Sequence, residues 1–201
     1  MNRGRLVAFE GVDGSGKSTQ LALLAAALRE AGRGVVETRE PTEGSIGRRI
    51  RAMARSGERP APAEELRWFV EDRREHVRDV IGPGLAAGLV VLTDRYYLST
   101  AAYQGARGLD PARLLAEAEA EFPKPDLALV LDVEPETGLE RVAARGGRAE
   151  PAFEDARYLV AVAAAFRALA RPYIVRVEAD HPPAAVHRAI LYALRRRLDL
   201  P

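Results

Sequence analysis

At 201 residues, 47% hydrophobic and 29% charged, the chain has the size and composition of one domain with its own core, which excludes a disordered tail or a membrane protein. Thirty basic against 29 acidic residues leave a formal net charge of +1, so bulk attraction to nucleic acid is not expected. With no cysteine there is no disulfide, thiolate metal site or cysteine nucleophile.

No apolar run approaches the roughly 18 residues that cross a bilayer. The first residues lead straight into a strand-like run, so no signal peptide is expected and a cytoplasmic enzyme fits best. "RLVAFE" (5–10) reads as a buried strand and "STQLALLAAALREAG" (18–32) as a helix ended by Gly32. "GVVETRE" (34–40) is a second strand and "SIGRRIRAMARSG" (45–57) a helix. A long helix from about Pro62 to Ala87 is expected to break or kink at Gly82-Pro83. "LVVLTDRY" (89–96) is a third strand, followed by helical material through Glu121, and "DLALVLDV" (126–133) a fourth. Helices over 135–145 and 155–169, the strand "YIVRVEA" (173–179) and a closing helix over 182–198 complete the pattern. Apolar strands alternating with helices predict an α/β fold of the P-loop NTPase type, one domain over 1–201 with a five-stranded parallel sheet flanked by helices. The Gly/Arg-rich stretch at about 144–154 is the expected lid. In such sheets ligands gather beyond the carboxyl ends of the strands, so the residues there should carry the chemistry.

"GVDGSGKS" (11–18) matches G-x-x-x-x-G-K-[ST] between a strand and a helix. The backbone of Gly11, Val12, Asp13, Gly14, Ser15 and Gly16, continuing through Lys17, Ser18 and Thr19 at the helix N-terminus, can cradle phosphate oxygens. Lys17 can reach the β/γ-phosphates, and the Ser18 hydroxyl can ligate Mg²⁺. Lysine occurs otherwise only at Lys124, which makes the loop lysine more than decoration. The loop therefore holds the phosphates of ATP or GTP. A switch GTPase would need D-x-x-G and N-K-x-D, both missing, and a mechanical ATPase lacks an obvious strand-end Asp-Glu pair. A small kinase remains. After the second strand, Arg39 can clamp an acceptor phosphate or merely pair with Glu40 on the surface. After the third, Asp94 and Arg95 stand where transferring charge must be neutralised. Phe69 and Arg73, four apart on a helix, combine a stacking ring with a guanidinium, although an aromatic at this spacing is more often core.

"FEGVDGSGKST", "TREP", Phe69 with Arg73, "DRYYLSTAAYQG" and "LDVEPE" together resemble the thymidylate kinase family over nearly the whole chain. The resemblance implies transfer of the γ-phosphoryl of Mg·ATP to dTMP in a homodimer, without nucleic acid or membrane. Asp13 would bind the 3′-hydroxyl, Arg39 and Arg95 the phosphates, and Phe69 would stack on thymine. Arg73 and Gln104 would read the base edge with Ser99 in support. Tyr103 would crowd the 2′ position, and Asp94 would help place Mg²⁺. Where some members carry an arginine in the middle of the loop this chain has Gly14, so Arg145 or Arg148 is the expected arginine finger, with Arg141 nearer the adenine or phosphates. Other pyrimidine nucleotide or nucleoside kinases, and a nucleotide-dependent switch protein, are the rival readings. His76, His181 and His187 lack partner spacing and are expected on the surface; Asp132 reads as a cap for the helix at Pro135. Arg195–Arg197 complement a helix C-terminus and need no nucleic acid to explain them.

Overall fold

The computed structural model describes residues 3–144, 156–198 and 200. Five strands, β1 (Arg5–Glu10), β2 (Val35–Arg39), β3 (Val90–Asp94), β4 (Leu127–Asp132) and β5 (Ile174–Glu178), form one sheet in the order β2-β3-β1-β4-β5. Every pairing is parallel. The central strands read as uninterrupted apolar runs because helices cover both faces: Leu6 through Phe9 and Leu127 through Leu129 are fully buried.

Nine α-helices surround the sheet among the described residues: α1 (Lys17–Glu30), α2 (Ser45–Ser56), α3 (Pro62–His76), α4 (Gly82–Ala86), α5 (Tyr97–Gly105), α6 (Pro111–Glu121), α7 (Pro135–Ala144), α8 (Ala156–Ala168) and α9 (Pro183–Leu198). None is long and apolar enough to cross a membrane. The expected break at Gly82-Pro83 falls earlier: a π-helical turn over Val77–Ile81 shifts the register, and α4 then starts at Gly82. Pro83 lies in that first turn, where a missing N–H costs little. The helical stretch before Glu121 is two helices, because Asp110 caps α6 by accepting from the N–H groups of Ala112 (2.9 Å) and Arg113 (3.3 Å), with Pro111 at the first position. Asp132, expected to cap the helix at Pro135, has its carboxylate accept from Arg167 Nε at 3.0 Å.

The strand register positions the site. Arg39 of β2 and Phe9 of β1 both pair with Asp94 of β3. The carboxyl ends of three adjacent strands therefore finish level with one another, beside the place where the chain's winding reverses direction around β1.

Candidate active site

The loop between β1 and α1 is shaped by backbone. Gly14 and Gly16 have φ of +77° and +95°, and Gly16 stands immediately before α1. No side chain caps α1 among the described residues, and its first turn holds no acidic residue, so its N–H groups and partial positive charge face the loop. Gly14 also touches α7: a Cβ there would lie 2.0 Å from the Gly138 carbonyl oxygen. A side chain at this position could enter only by displacing that helix.

Lys17 is buried and its Nζ donates to the Val12 carbonyl at 2.8 Å. Burial, with the neighbouring Arg95 guanidinium, pulls its pKa down to about 8 against the opposing pull of Asp13, Asp94 and Glu10. Ser18 Oγ donates to Asp94 Oδ2 at 2.5 Å. A hydroxyl and a carboxylate meeting at the end of a phosphate loop are a hard oxygen set of the kind Mg²⁺ takes. No cluster of three or more potential metal-ligating His, Cys, Asp or Glu residues occurs among the described residues, so a metal here would lean on phosphates and water as well.

Arg95 is the hub between loop and acceptor side. Its φ of +74° is left-handed, uncommon for a residue with a side chain, and its N–H donates to Phe9 carbonyl at 2.8 Å while Thr93 Oγ1 holds its own carbonyl at 2.7 Å. The guanidinium donates to Asp13 Oδ1 (2.7 Å), Ser99 Oγ (3.1 Å), Tyr103 OH (3.3 Å) and the Gly11 carbonyl (3.3 Å). Burial alone would raise the Asp13 carboxyl, yet Arg95 and Lys17 hold it below its ordinary value. Burial pushes the Tyr103 phenol upward, so it stays a neutral hydrogen-bonding group.

A cavity of about 360 Å³ joins these parts. Asp13, Gly14, Gly16, Lys17 and Ser18 form one wall, Arg39, Asp94 and Arg95 the floor, and Phe69, Arg73, Ser99, Tyr103 and Gln104 the other wall. Most of the residues singled out in the sequence thus meet in one space. Gly11, Val12, Ser15 and Thr19 do not line it; the first three are buried behind the loop and Thr19 is exposed on α1. Arg141 Nη1 donates to the Ala179 carbonyl at 3.0 Å, placing it beside the segment after β5. Arg145 and Arg148 lie outside the described residues.

Two buried carboxylates that brace the acceptor wall escaped sequence reasoning, Glu40 at the cavity and Glu65 behind it. Glu40 is buried rather than paired at the surface with Arg39. It accepts from Arg73 Nε (3.0 Å) and Nη2 (2.6 Å), and from His76 at 3.0 Å, and Arg73 Nη2 reaches Thr100 Oγ1 at 2.9 Å. Burial would raise the Glu40 carboxyl, but Arg73 and His76 hold it low. His76, expected on the surface, is 2% exposed and is also bonded to Thr38 Oγ1 at 2.7 Å; two polar partners meet its ring and make burial tolerable. Glu65, fully buried, forms ion pairs with Arg59 and Arg107 and accepts from Gln104 Nε2 at 2.8 Å. Ser99 bonds Arg95 and Glu10, so its direct partners lie on the phosphate side of the cavity. A detectable signal existed on α3: Glu65, Phe69, Asp72, Arg73 and His76 recur at helical spacing, and four of the five are buried polar residues where an apolar stripe is the rule.

A phosphate-binding loop at the edge of such a cavity, in a parallel sheet of this order, defines a P-loop phosphotransferase with room for a small acceptor. The sequence model for thymidylate kinase matches residues 9–190. The chain is 42% identical over 199 residues to the thymidylate kinase of Desulfotalea psychrophila, covering 99% of this chain and 98% of that one. It is 44% identical over 195 residues to the thymidylate kinase of Akkermansia muciniphila (97% and 93% covered), and 42% over 196 residues to the probable thymidylate kinase of Archaeoglobus fulgidus (97% of each). The chain belongs to the thymidylate kinase family and is an enzyme of that kind.

Proposed function

We propose that the protein transfers the γ-phosphoryl group of ATP to dTMP, giving dTDP and ADP, with Mg²⁺ held from Ser18 and Asp94. The observation that carries this reading is the single cavity whose walls are the P-loop on one side and Phe69, Arg73 and Gln104 on the other. An acceptor phosphate placed between Arg39 and Arg95 attacks in line. Its oxygen is already anionic near neutral pH, so no general base is required. Lys17 and the α1 N-terminus neutralise the transferring charge, and bound Mg²⁺ would supply further neutralisation of the β- and γ-phosphates. Phe69 offers a stacking face for the pyrimidine, Arg73 and Gln104 its polar contacts, and Asp13 a carboxylate for the 3′-hydroxyl. Tyr103, held beside Asp13 by Arg95, crowds a ribose 2′-hydroxyl.

Because the Gly138 carbonyl fills the space a side chain would need at Gly14, the extra transition-state cation comes from elsewhere, and Arg145 or Arg148 supplies it. Arg141 would serve the adenine or the phosphates of the donor. The family relationship supports a cytoplasmic homodimer, which light scattering on the purified protein tests. The activity is tested by ADP release from Mg·ATP against dTMP, dUMP, UMP, dCMP, thymidine and no acceptor. Turnover with dTMP, less with dUMP and almost none with UMP or thymidine is expected. Equal release without acceptor would refute the reading.

A further inference from the structure

Behind the acceptor wall, Glu65 on α3 shares no surface with the cavity, whereas Gln104 on α5 lines it. Glu65 is ion-paired to Arg59 at 2.6 Å and to Arg107, so it stands there as a carboxylate that can only accept hydrogen bonds. The end of the Gln104 amide that meets it, at 2.8 Å, must therefore be the NH₂. Gln104 Oε1 is then the end turned away from Glu65. It is buried and has no hydrogen-bond partner among the described residues. A buried acceptor without a partner is costly, and a ligand that brings a donor relieves that cost.

We infer that Glu65 is a specificity-positioning residue: by fixing the orientation of the Gln104 amide it makes the cavity demand an N–H on the pyrimidine. This deepens, and rests on, the proposed dTMP kinase reading. Thymine and uracil carry hydrogen on N3 and meet the Gln104 oxygen as donors. Cytosine presents a lone pair at N3, so the two acceptors face each other and neither can be satisfied. Gln104 by itself could not make this distinction, because an amide turned through 180° offers its NH₂ instead. The carboxylate behind it removes that freedom. Arg59 and Arg107 are part of the same device, since their ion pairs hold the Glu65 carboxylate in place. The chain Arg59–Tyr158–Tyr103, with Arg59 donating to Tyr158 OH at 3.0 Å and that hydroxyl donating to the Tyr103 carbonyl at 2.7 Å, ties it to the neighbouring residue of α5.

The test is Glu65→Gln, which keeps the size of the side chain but offers Gln104 either a donor or an acceptor. The readout is kcat/KM for dTMP and for dCMP at saturating Mg·ATP. The dTMP value should fall and the dCMP value rise, so that their ratio drops about tenfold or more, while KM for ATP stays unchanged. Parallel losses for both nucleotides with the ratio intact would overturn the inference, leaving Glu65 a purely structural residue. Should Glu65→Gln fail to fold, Glu65→Asp keeps the charge and retracts the carboxylate by one methylene. A smaller drop in the same ratio is then expected, and an unchanged ratio overturns the inference. A wild-type enzyme indifferent to dTMP and dCMP would instead refute the dTMP reading itself, before any variant is made.

Discussion

The two walls of the cavity are built by opposite means. The donor wall is backbone: glycines at positive φ, the open end of α1, and one lysine resting on a loop carbonyl. The acceptor wall is side chain, and its members are braced by buried carboxylates, Glu40 beside Arg73 at the cavity itself and Glu65 one layer behind Gln104. A phosphate offers the same oxygens whatever nucleotide it belongs to, so a backbone cradle suffices. A base edge must be told from its near relatives, and that requires donors and acceptors whose direction cannot drift.

The contrast is broken most severely on the donor side. Lys17→Met should lower kcat by about a thousandfold or more through loss of charge neutralisation, with thermal unfolding little altered because a buried ammonium is also removed. Steady-state kinetics with a melting curve separates the two effects. On the acceptor side the largest loss is one of stability. Glu40→Ala leaves Arg73 buried beside an unbalanced His76 and should cost about 3–5 kcal/mol in denaturant unfolding, with a raised KM for dTMP in whatever folds.

Glu10, fully buried at the end of β1, sharpens the comparison through pH. Burial raises its carboxyl to about 7, only partly offset by the Ser99 hydrogen bond and the Arg95 charge. An acid raised in this way contributes its stability while protonated, in full below its ordinary value of 4.5, and loses it as pH rises through about 7. Stability attributable to Glu10 should thus decline by up to about 3 kcal/mol between pH 5 and pH 8, and Glu10→Gln should flatten that slope in urea titrations. Gly14→Ala comes next: a Cβ against the Gly138 oxygen, at a left-handed φ, should cost about 1–2 kcal/mol and raise KM for ATP while leaving KM for dTMP alone. The mildest effect is that of alkali on Lys17. Since its pKa is lowered to about 8, kcat/KM for ATP should fall as pH climbs through that value.

The same contrast decides what could be read from the sequence. Strands were legible because buried parallel strands are short continuous apolar runs, and all five lie within one or two residues of where their patterns place them. The P-loop was legible because a backbone cradle needs glycines at fixed offsets. Phe69 and Arg73 were reachable through their spacing on one helix and Tyr103 and Gln104 through the resemblance, and the cavity gathers all four. Their braces were not, because Glu40 and Arg73 are 33 positions apart and Glu65 and Gln104 are 39 apart, distances over which periodicity carries no information. Charged residues on the buried stripe of α3 were the one local sign. His76 was misplaced at the surface for the same reason: its partners Thr38 and Glu40 come from β2 and the loop after it.

The most direct test of a braced acceptor wall is calorimetric titration of the nucleotide-free protein with dTMP, and separately with dCMP, in the absence of ATP. A wall already held in place by Glu40 and Glu65 predicts that dTMP binds on its own and dCMP does not. Binding of dTMP only after ATP is added, or equal binding of both nucleotides, would mean that the acceptor side is assembled by the donor and that its buried carboxylates serve stability alone.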